Sequence, residues 1–409
     1  MMRRTETEKS SAIRDHWTLD PSITFLNHGS FGATPGAILR VQDHYRARLE
    51  AEPVRFMTRE LDALLDASRE ELARFLGARP EGLAFVPNAT AGVNAVLRSL
   101  ELEPGDELLT TTQEYNACRN ALEYVCARSG SRPVVVDLPF PTTGPAEIAG
   151  RILERVGRRT RLVLVDHVTS QTALVFPIER IATELRERGV DLLVDGAHAP
   201  GMIPLDLETL GAAYYTGNCH KWICAPKGAA FLSVRGDRRD SVRPVSISHG
   251  ANSTRTDRSR FLLEFDWTGT FDPTAWLSVG DSIRFMGSLL PGGWPELMRH
   301  NHELALRGRD LLTHALAIPS PAPDSMLGSM AALPLPDGNA ATAPSLYGDP
   351  LQDALLERHA IEVPVVPWPA PPARVLRISA QIYNAPKEYE RLAAALVELL
   401  GEEKTKGGR

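Results

Sequence analysis

Between residues 83 and 234, short apolar runs alternate with amphipathic segments, and this alternation limits most strongly what the chain can fold into. Apolar runs of four to eight residues predict buried strands, whereas apolar residues three and four positions apart predict helices. Strands that alternate with helices form βαβ units and a mostly parallel sheet. The predicted strands are Leu83–Val86, Glu107–Thr110, Val134–Asp137, Leu162–Asp166, Leu192–Asp195 and Ala229–Val234.

Polar residues come directly after several of these strands. In an open α/β sheet, ligands bind at the carboxyl ends of the strands, so such residues share one edge. Polar residues placed by chance would be divided between both edges of the sheet. Their convergence is the strongest indication of a functional site that the residues alone provide. The residues are Asn88, Tyr115, His167, Asp195 and Lys221.

Asp195 and Lys221 give this edge a specific chemistry. A lysine amine forms a Schiff base with the aldehyde of pyridoxal 5'-phosphate (PLP). A carboxylate keeps the pyridine nitrogen protonated, so the ring can accept the electrons of a Cα carbanion. Each residue alone has an ordinary explanation, because an Asp after a strand is often a turn residue and a His-Lys pair often faces solvent. Combined with the other strand-end residues, they predict a PLP site.

Three further segments have both a functional and a structural interpretation. The turn Asn88–Gly92 opens a helix whose free amides would bind the cofactor phosphate through Ala89 and Thr90. Residues of this kind also cap helices without binding a ligand. The ring of Tyr115 would either stack on the pyridine or pack on the core. The segment Asn27–Pro35, with its glycines and proline, is either a shaped binding loop or a plain turn.

The length of 409 residues allows two domains of ordinary size. After about residue 290 the alternating pattern stops, and a Pro- and Ala-rich stretch precedes strands at Met330–Leu335 and Val375–Ser379. A long helix near 276–289 would leave the first domain. The predicted organisation is an N-terminal arm over 1–20, a large PLP-binding domain over 21–289, a small C-terminal domain over 290–401 and a polar tail over 402–409.

Composition excludes several classes of function. A net charge of −6 and a pI near 6.0 do not favour binding to nucleic acid or to an anionic membrane. No apolar stretch follows the first arginines as in a signal peptide, and no run approaches a membrane span. The four cysteines are too few for a disulfide framework in a chain of this length. We therefore expect a cytoplasmic protein.

Six short motifs appear together in a recognisable order. The chain resembles the class V aminotransferase superfamily of fold-type I PLP enzymes, and within it the isopenicillin N epimerase-like branch. The resemblance covers residues from about 20 to 400. It implies an α/β fold-type I transferase architecture, with a mostly parallel sheet in the large domain and a smaller C-terminal α+β domain. The motifs start at Asn27 (Asn-His-Gly-Ser-Phe-Gly), Asn88 (Asn-Ala-Thr), Asp195 (Asp-Gly-Ala-His-Ala-Pro-Gly), His220 (His-Lys-Trp), Trp267 (Trp-Thr-Gly-Thr) and Leu376 (Leu-Arg-Ile-Ser).

The resemblance implies the roles of the residues around the ring. Lys221 would form the internal aldimine and then act as the proton-transfer base. Asp195 would pair with the pyridine nitrogen, and His198 would reach the ring hydroxyl. Tyr115 would cover the ring, where relatives often have histidine. All four are therefore expected to take part in catalysis.

The resemblance also implies how the phosphate is held. Ala89, Thr90, Asn218 and His220 would bind it, and Thr270 would reach the phosphate of the neighbouring subunit in a homodimer with shared active sites. The chain departs from many superfamily members at Asn218, where they have serine. An amide can still donate to a phosphate oxygen. The departure therefore puts only that contact in doubt.

Substrate binding is expected from two parts of the chain. Arg377 would hold the α-carboxylate of an amino acid with its two-pronged guanidinium. A structural salt bridge within the core is the alternative for this arginine. Asn27, His28, Gly29 and Ser30 would line the substrate side of the site.

The reaction is the least constrained part of the prediction. Epimerisation through an aldimine and a quinonoid comes first, with His28, Tyr115 or water as the second proton donor. Elimination from cysteine, its sulfoxide or a conjugate by a C–S lyase is the alternative, and transamination is third. A non-catalytic binding protein is disfavoured because the full residue set is present. No metal is expected at Cys219, His220 and Cys224, which lack the paired spacing of a zinc site. A desulfurase is disfavoured because no cysteine follows Cys224.

Overall fold

A computed structural model describes residues 13–338 and 348–407. We number the strands β1 to β12 and the α-helices α1 to α15 in chain order. The strands are β1 Thr24–Phe25, β2 Leu83–Val86, β3 Glu107–Thr111, β4 Arg132–Val136, β5 Thr160–Asp166, β6 Asp191–Asp195, β7 Tyr214–Asn218, β8 Ala230–Val234, β9 Met330–Leu335, β10 Ile361–Glu362, β11 Val365–Pro367 and β12 Arg374–Ser379.

The helices lie between these strands and around the edges of the sheets, and short 3-10 or π turns adjoin several of them. The α-helices are α1 His28–Phe31, α2 Gly36–Ala51, α3 Pro53–Arg55, α4 Leu61–Leu76, α5 Ala89–Ser99, α6 Asn116–Ser129, α7 Pro145–Glu154, α8 Ile178–Glu187, α9 Leu207–Leu210, α10 Arg260–Phe265, α11 Thr274–Leu277, α12 Val279–Ser288, α13 Gly293–Leu316, α14 Pro350–His359 and α15 Pro386–Gly407.

The central sheet has seven strands in the order β2-β8-β7-β6-β5-β3-β4. Strands β4, β3, β5, β6 and β7 are parallel to their neighbours, and β8 runs antiparallel to both β7 and β2. Strand β2 therefore has the same direction as the parallel set. The carboxyl ends of all strands except β8 lie at one edge, as predicted. Helices on both faces cover the sheet, and buried apolar residues fill two layers against it.

A second sheet lies in the C-terminal part of the chain. Its three strands are antiparallel in the order β11-β12-β9, and helices α13 and α15 pack against each other beside it. This is the smaller α+β unit that the family resemblance implied, so the fold prediction is confirmed. Within the described residues, no helix is both long enough and apolar enough to span a membrane.

Three details of the predicted organisation were wrong. Strand β1, which we assigned to the large domain, pairs with β10 of the C-terminal part. The helix predicted near 276–289 is two helices, α11 and α12, divided at Ser278. Helix α15 continues to Gly407, so residues 402–407 are not a separate tail. Ion pairs of Glu402 with Arg358 and of Glu403 with Arg374 stabilise that polar turn.

The N-terminal arm is only partly within the described residues, which begin at residue 13. Trp17 in this segment is buried, packs edge-on against Tyr383 and donates its ring N–H to the carbonyl of Ala33. The end of the predicted polar arm is therefore packed against the fold.

Candidate active site

A cavity lies at the carboxyl edge of the central sheet, between this sheet and the C-terminal part of the chain. Lys221, Tyr115 and Arg377, three of the residues singled out from the sequence, share its wall. Strand β7 delivers Lys221, the turn after β3 delivers Tyr115, and β12 delivers Arg377. Its lining residues are Gly29, Ser30, Phe31, Tyr115, Ser170, Gln171, Lys221, Pro364, Val366 and Arg377.

Lys221 and His198 form the reactive pair of this cavity. The Nζ of Lys221 lies 2.9 Å from the Nε2 of His198. Burial, followed by the nearby positive charge of Arg377, lowers the pKa of Lys221 to about 7. Burial also holds the pKa of His198 well below its usual value, so its imidazole is neutral. A neutral imidazole next to an amine with this pKa favours a nucleophilic, uncharged lysine near neutral pH.

Asp195 ends strand β6 and is 1% exposed. Its Oδ2 accepts a hydrogen bond from the thiol of Cys118 at 3.1 Å, and its Oδ1 accepts one from the amide of Ala197 at 2.9 Å. Burial raises the pKa of Asp195, whereas these two donors and Lys221 oppose the rise. The two donors stabilise the ionised form of the carboxyl group. This is the form that can accept a hydrogen bond from a protonated ring nitrogen.

The predicted phosphate site at the start of α5 is only partly as expected. The side chain of Asn88 caps the helix by accepting from the amide of Ala91 at 2.8 Å. The amide of Ala89, which we expected to face the phosphate, donates to Oδ1 of Asn218 at 2.8 Å. The predicted role of Ala89 is therefore corrected, because its amide already donates to the asparagine carbonyl. The phosphate contact of Asn218 would use its side-chain NH2 and stays a prediction. Thr90 is half-buried in the first turn.

His220 and Thr270 were the other two predicted phosphate ligands. The Nδ1 of His220 lies 3.0 Å from the carbonyl of Ala229, and burial lowers its pKa to about 4. A carbonyl accepts only, so Nδ1 carries the proton and Nε2 is left as an acceptor in the neutral ring. Thr270 is exposed and is not part of the cavity lining. Neither position tests the predicted contact with phosphate, which stays a prediction.

Arg377 is buried on β12, with 5% of its surface exposed. Its Nη1 donates to the carbonyl of Ser170 at 2.6 Å, and its Nη2 donates to Oγ of Ser30 at 2.8 Å and to Oδ1 of Asn27 at 3.4 Å. Neutral oxygens orient the guanidinium in these contacts. The group is therefore held rigidly at the cavity wall, where a substrate carboxylate can meet it.

The segment before α2, which contains the short helix α1, divides into residues that line the cavity and residues that support it. Gly29 and Ser30 are in the lining, and a Cβ at Gly29 would collide with Sδ of Met330. Asn27 is 4% exposed, and its Nδ2 donates to Glu362 at 2.9 Å, so it orients Ser30 and Arg377 from behind. These positions fit the predicted substrate side of the site.

His28 was predicted to contact substrate, and this prediction was wrong. The residue is 0% exposed, and both ring nitrogens have protein partners. Nε2 lies 3.0 Å from the carbonyl of Lys221 and therefore donates to it, so Nδ1 accepts from the hydroxyl of Tyr383 at 2.8 Å. Burial lowers the pKa of His28 to about 3. It fixes the backbone of Lys221 and has no free nitrogen for proton transfer.

Comparison with known proteins agrees with this geometry. The sequence model of the family Aminotransferase class-V matches residues 26–344. The chain belongs to the class-V aminotransferase family. Two isopenicillin N epimerases are similar over nearly their full length. The protein from Streptomyces clavuligerus is 37% identical over 95% of this chain and 98% of its own, and that from Amycolatopsis lactamdurans is 39% identical over 94% and 97%.

A relative with a different name and a solved structure are also similar to the chain. A probable chloroplastic L-cysteine desulfhydrase from Arabidopsis thaliana is 32% identical over 92% of this chain and 83% of its own. Among solved structures, a C-DES mutant with glycine covalently linked to the PLP cofactor has a TM-score of 0.79. It is 22% identical and covers 94% of this chain and 98% of its own, and it supports the fold.

As a member of the class-V aminotransferase family, the chain is a PLP-dependent enzyme that acts at the Cα of an amino acid. The residues present fit the cofactor. Lys221 supplies an amine whose pKa of about 7 leaves a substantial fraction uncharged near neutral pH, and Asp195 supplies a buried acceptor for a ring nitrogen. Within the described residues, Nδ1 of His198 is buried without a hydrogen-bond partner. A buried polar atom of this kind usually has a partner, so the site gains one when a polar group binds there.

We expect PLP to attach to Lys221 at neutral pH with little further gain at higher pH. The uncharged amine is the nucleophile, and its fraction rises with pH through the pKa of about 7 that burial gives Lys221. An exposed lysine would instead gain reactivity up to about pH 10. Initial rates of attachment to cofactor-free protein, followed by visible absorbance, should level off near pH 8. Rates still climbing steeply above pH 9 would contradict the assignment.

Replacement of Arg377 by lysine separates its two predicted roles. The charge is kept but the two-pronged contact is lost. We therefore expect kcat/KM to fall, by an amount equivalent to about 1.5–3 kcal/mol of transition-state stabilisation. Arg374 is the matched control. It lies on the same strand, is 4% exposed and is ion-paired with Asp349 at 2.8 Å and Glu403 at 2.5 Å.

We expect Arg377→Lys to leave the melting temperature nearly unchanged and Arg374→Lys to lower it while leaving kinetics intact. Thermal denaturation and steady-state kinetics of both variants check this. If Arg377→Lys unfolded easily and kept normal kinetics, the arginine would belong to the core and not to the substrate site.

Several lining residues were not predicted as site residues. Ser170 and Gln171 lie in the polar turn after β5, and that turn was visible in the sequence as a strand end. Pro364 and Val366 come from the short β11 region, which has no motif. Of the five strand-end residues, Asn88 caps a helix, and His167 is buried with Nδ1 2.9 Å from the hydroxyl of Tyr215.

Proposed function

We propose that this PLP enzyme is an epimerase that inverts the Cα of an amino acid moiety in an isopenicillin N-like substrate. The observation that carries the proposal is 37–39% identity to two isopenicillin N epimerases over 94–95% of this chain. Identity to the probable cysteine desulfhydrase is lower, at 32%. The cofactor, when bound, withdraws electrons from Cα and makes its proton acidic.

The proposed roles of the side chains follow from their positions. Arg377 holds the substrate carboxylate by its rigid guanidinium, which fixes the orientation of Cα. Lys221, with His198 at 2.9 Å, takes the Cα proton on its own side. Asp195 would stabilise positive charge on the ring nitrogen of bound PLP, and His198, which orients the lysine, would also reach the ring hydroxyl.

Inversion needs a second proton donor on the opposite side of Cα. Among the earlier candidates, His28 has both ring nitrogens bonded to the protein, so Tyr115 and water remain. Tyr115 lines the same cavity as Lys221, and we propose that its hydroxyl delivers the proton directly or through water. In Tyr115→Phe we expect exchange of the Cα proton to continue while inversion slows. Equal losses of exchange and inversion would oppose this role.

The alternative is a C–S lyase that eliminates the β-substituent of cysteine or a cysteine conjugate. It is supported by the 32% identity to the probable L-cysteine desulfhydrase over 92% of this chain. Both reactions begin with removal of the Cα proton by the same lysine, so the side chains described do not separate them. Transamination is a third outcome, in which the amino group would leave the substrate.

One experiment distinguishes the three reactions. Purified holoenzyme is incubated in deuterated water with isopenicillin N, L-cysteine, L-cystine and a panel of amino acids. Deuterium at Cα, inverted product, pyruvate and loss of the amino group are followed together. Inversion of isopenicillin N without pyruvate supports the proposal. Pyruvate from cysteine with no inversion of any substrate would replace it with the lyase, and keto acid formation would replace it with transamination.

We also propose a homodimer in which Thr270 completes the neighbouring phosphate site. In support, Thr270 is exposed, and Val245 and Ile247 in the same loop-rich region are 52% and 62% exposed. Large exposed apolar side chains favour contact with another surface. Holoenzyme that sedimented as a monomer at low micromolar concentration would exclude this arrangement.

We further propose that the protein acts in the cytoplasm, because all four cysteines are unpaired and buried. Fractionation of the source cells, followed by immunoblotting, would check the compartment. Detection only outside the cytoplasmic fraction would oppose the proposal.

A further inference from the structure

A cluster of buried carboxyl groups lies behind the proposed ring-nitrogen acceptor. Glu114, Asp166 and Asp195 are 4%, 3% and 1% exposed, and the thiol of Cys118 lies among them. Ligand atoms of Glu114, Cys118 and Asp195 are all within 4.8 Å of one another. Asp166 and Asp195 are paired positions on the neighbouring strands β5 and β6. Paired residues of adjacent strands share a face, so these two carboxyl groups are side by side.

Three ionised carboxylates cannot be buried together at this spacing. Each would lose its hydration, and each would repel the other two, so at least one must hold a proton. The nearest amine, Lys221, has a pKa of about 7 and does not supply a full positive charge above neutrality. The proton therefore resides on one of the carboxyl groups.

Hydrogen-bond partners identify which group that is. Asp195 accepts from the Cys118 thiol and from the Ala197 amide, and both donors favour its ionised form. Among the described residues, both oxygens of Glu114 and Oδ2 of Asp166 are buried without a donor or acceptor partner. An acid proton on Glu114 would supply the missing donor for Asp166. One hydrogen bond then gives a partner to both Glu114 and Asp166.

We propose that Glu114 is a neutral carboxylic acid that donates a hydrogen bond to Asp166, and that this bond leaves Asp195 as the ionised acceptor for the cofactor ring nitrogen. Glu114 is thus a positioning residue that acts through the carboxylate pair. Burial, followed by the charges of Asp166 and Asp195, raises the pKa of Glu114 well above its usual value. The inference rests on the PLP assignment only for its effect on the ring, because the proton on Glu114 belongs to the protein itself.

A bound metal ion is the competing explanation for Glu114, Cys118 and Asp195. A metal would need the cysteine as a thiolate. Here the Cys118 thiol keeps its proton and donates a hydrogen bond to Asp195, and burial raises the pKa of Cys118 well above its usual value. The observed contacts therefore favour a protonated cluster.

Infrared spectroscopy of cofactor-free protein tests the proton directly. We expect the carbonyl band of a buried protonated carboxylic acid in the natural protein and its loss in Glu114→Gln. Glu123→Gln, on the exposed side of α6 and paired with Arg119, is the control and should keep the band. A band that persists in Glu114→Gln would overturn the proposal. So would stoichiometric zinc binding at this cluster that Glu114→Gln abolishes.

Stability against pH gives a second readout that a purely structural role would not produce. Folded Glu114 keeps a proton that the unfolded chain releases above its ordinary pKa, so stability is lost as pH rises towards the raised folded value. The titratable groups that face it, Asp166, Asp195 and Cys118, are unchanged in Glu114→Gln. The melting temperature of cofactor-free Glu114→Gln should therefore fall less between about pH 6 and pH 9 than that of the natural protein. Parallel curves would oppose the proposal.

The effect on the cofactor is tested by rescue. In holoenzyme, Glu114→Ala removes the donor to Asp166, so the absorbance of bound PLP should titrate at a different pH. The amide of Glu114→Gln donates as the acid does and should restore the natural titration. Identical titrations for the alanine and glutamine variants would overturn the positioning role. None of these readouts requires epimerase activity, so failure of the proposed reaction and failure of this inference are distinguishable.

Discussion

In Lys221→Ala we expect no covalently held PLP and a loss of activity of several orders of magnitude. The amine is both the attachment point and the base that takes the Cα proton, and a general base alone contributes roughly 10²–10⁴-fold. His198 remains 2.9 Å from the vacated position but is neutral and held by the fold, so it cannot replace the attachment. Turnover and the visible absorbance of protein purified without added amines measure both losses.

Lys227→Ala is the matched control for this variant. Lys227 lies six positions further along the chain and is exposed, and its Nζ donates to the carbonyl of Gly32 at 3.0 Å. It should keep cofactor and activity. If Lys221→Ala retained PLP that borohydride fixes to the chain, another lysine would be the attachment point and the site would be misassigned.

Replacement of Asp195 by alanine should have the second largest effect, and it should fall on chemistry more than on folding. Without the carboxylate, the ring nitrogen loses its charge partner and the ring withdraws electrons less effectively. We expect weaker PLP binding and a fall in turnover of orders of magnitude. Removal of one carboxyl group also relieves repulsion with Asp166, so the melting temperature of the cofactor-free variant should not drop sharply.

Asp191→Asn on the same strand is the control for Asp195→Ala. Asp191 pairs with Arg235 and Arg238 at the far end of β6, away from the site. We expect this variant to lose some stability and to keep turnover, the reverse of the Asp195 pattern. PLP content, kinetics and thermal denaturation of both proteins provide the comparison. Near-normal turnover in Asp195→Ala would remove this residue from the proposed mechanism.

The parts of the fold that depend on local pattern were predictable from sequence. Strands of the central sheet are buried on both faces, so they stand out as apolar runs, and β2, β6 and β9 were placed closely. Strand β1 was placed in the wrong unit because its partner, β10, lies over 300 residues away. The residues of either short segment do not indicate which distant strand it pairs with.

The site was predictable where a residue's position follows from its strand. Lys221 and Tyr115 reach one cavity because each follows a strand that ends there, whereas Arg377 was expected there from the family resemblance. The direction of a side chain and its partners are not fixed by such a rule. His28 turns inward to Tyr383, and Asn218 accepts from the Ala89 amide, because residues distant in sequence supply those contacts.

The acid cluster shows a different limit. Glu114 stands beside Tyr115, and Asp166 ends a predicted strand, so both were visible in the sequence. Their burial against Asp195 depends on the order of β3, β5 and β6 in the sheet. Periodicity predicts that strands exist but not which ones are neighbours. The burial of three carboxyl groups next to one another was therefore apparent only in the folded chain.

The most direct test of the central claim is to locate the cofactor on the chain. Holoenzyme is reduced with borohydride, digested and mapped by mass spectrometry. We predict that the peptide containing Lys221 carries the added mass of a pyridoxyl-phosphate group. Lys221 lies 2.9 Å from His198 in the cavity that also contains Arg377. The modification on Lys227 or any other lysine, with Lys221 unmodified, would contradict it.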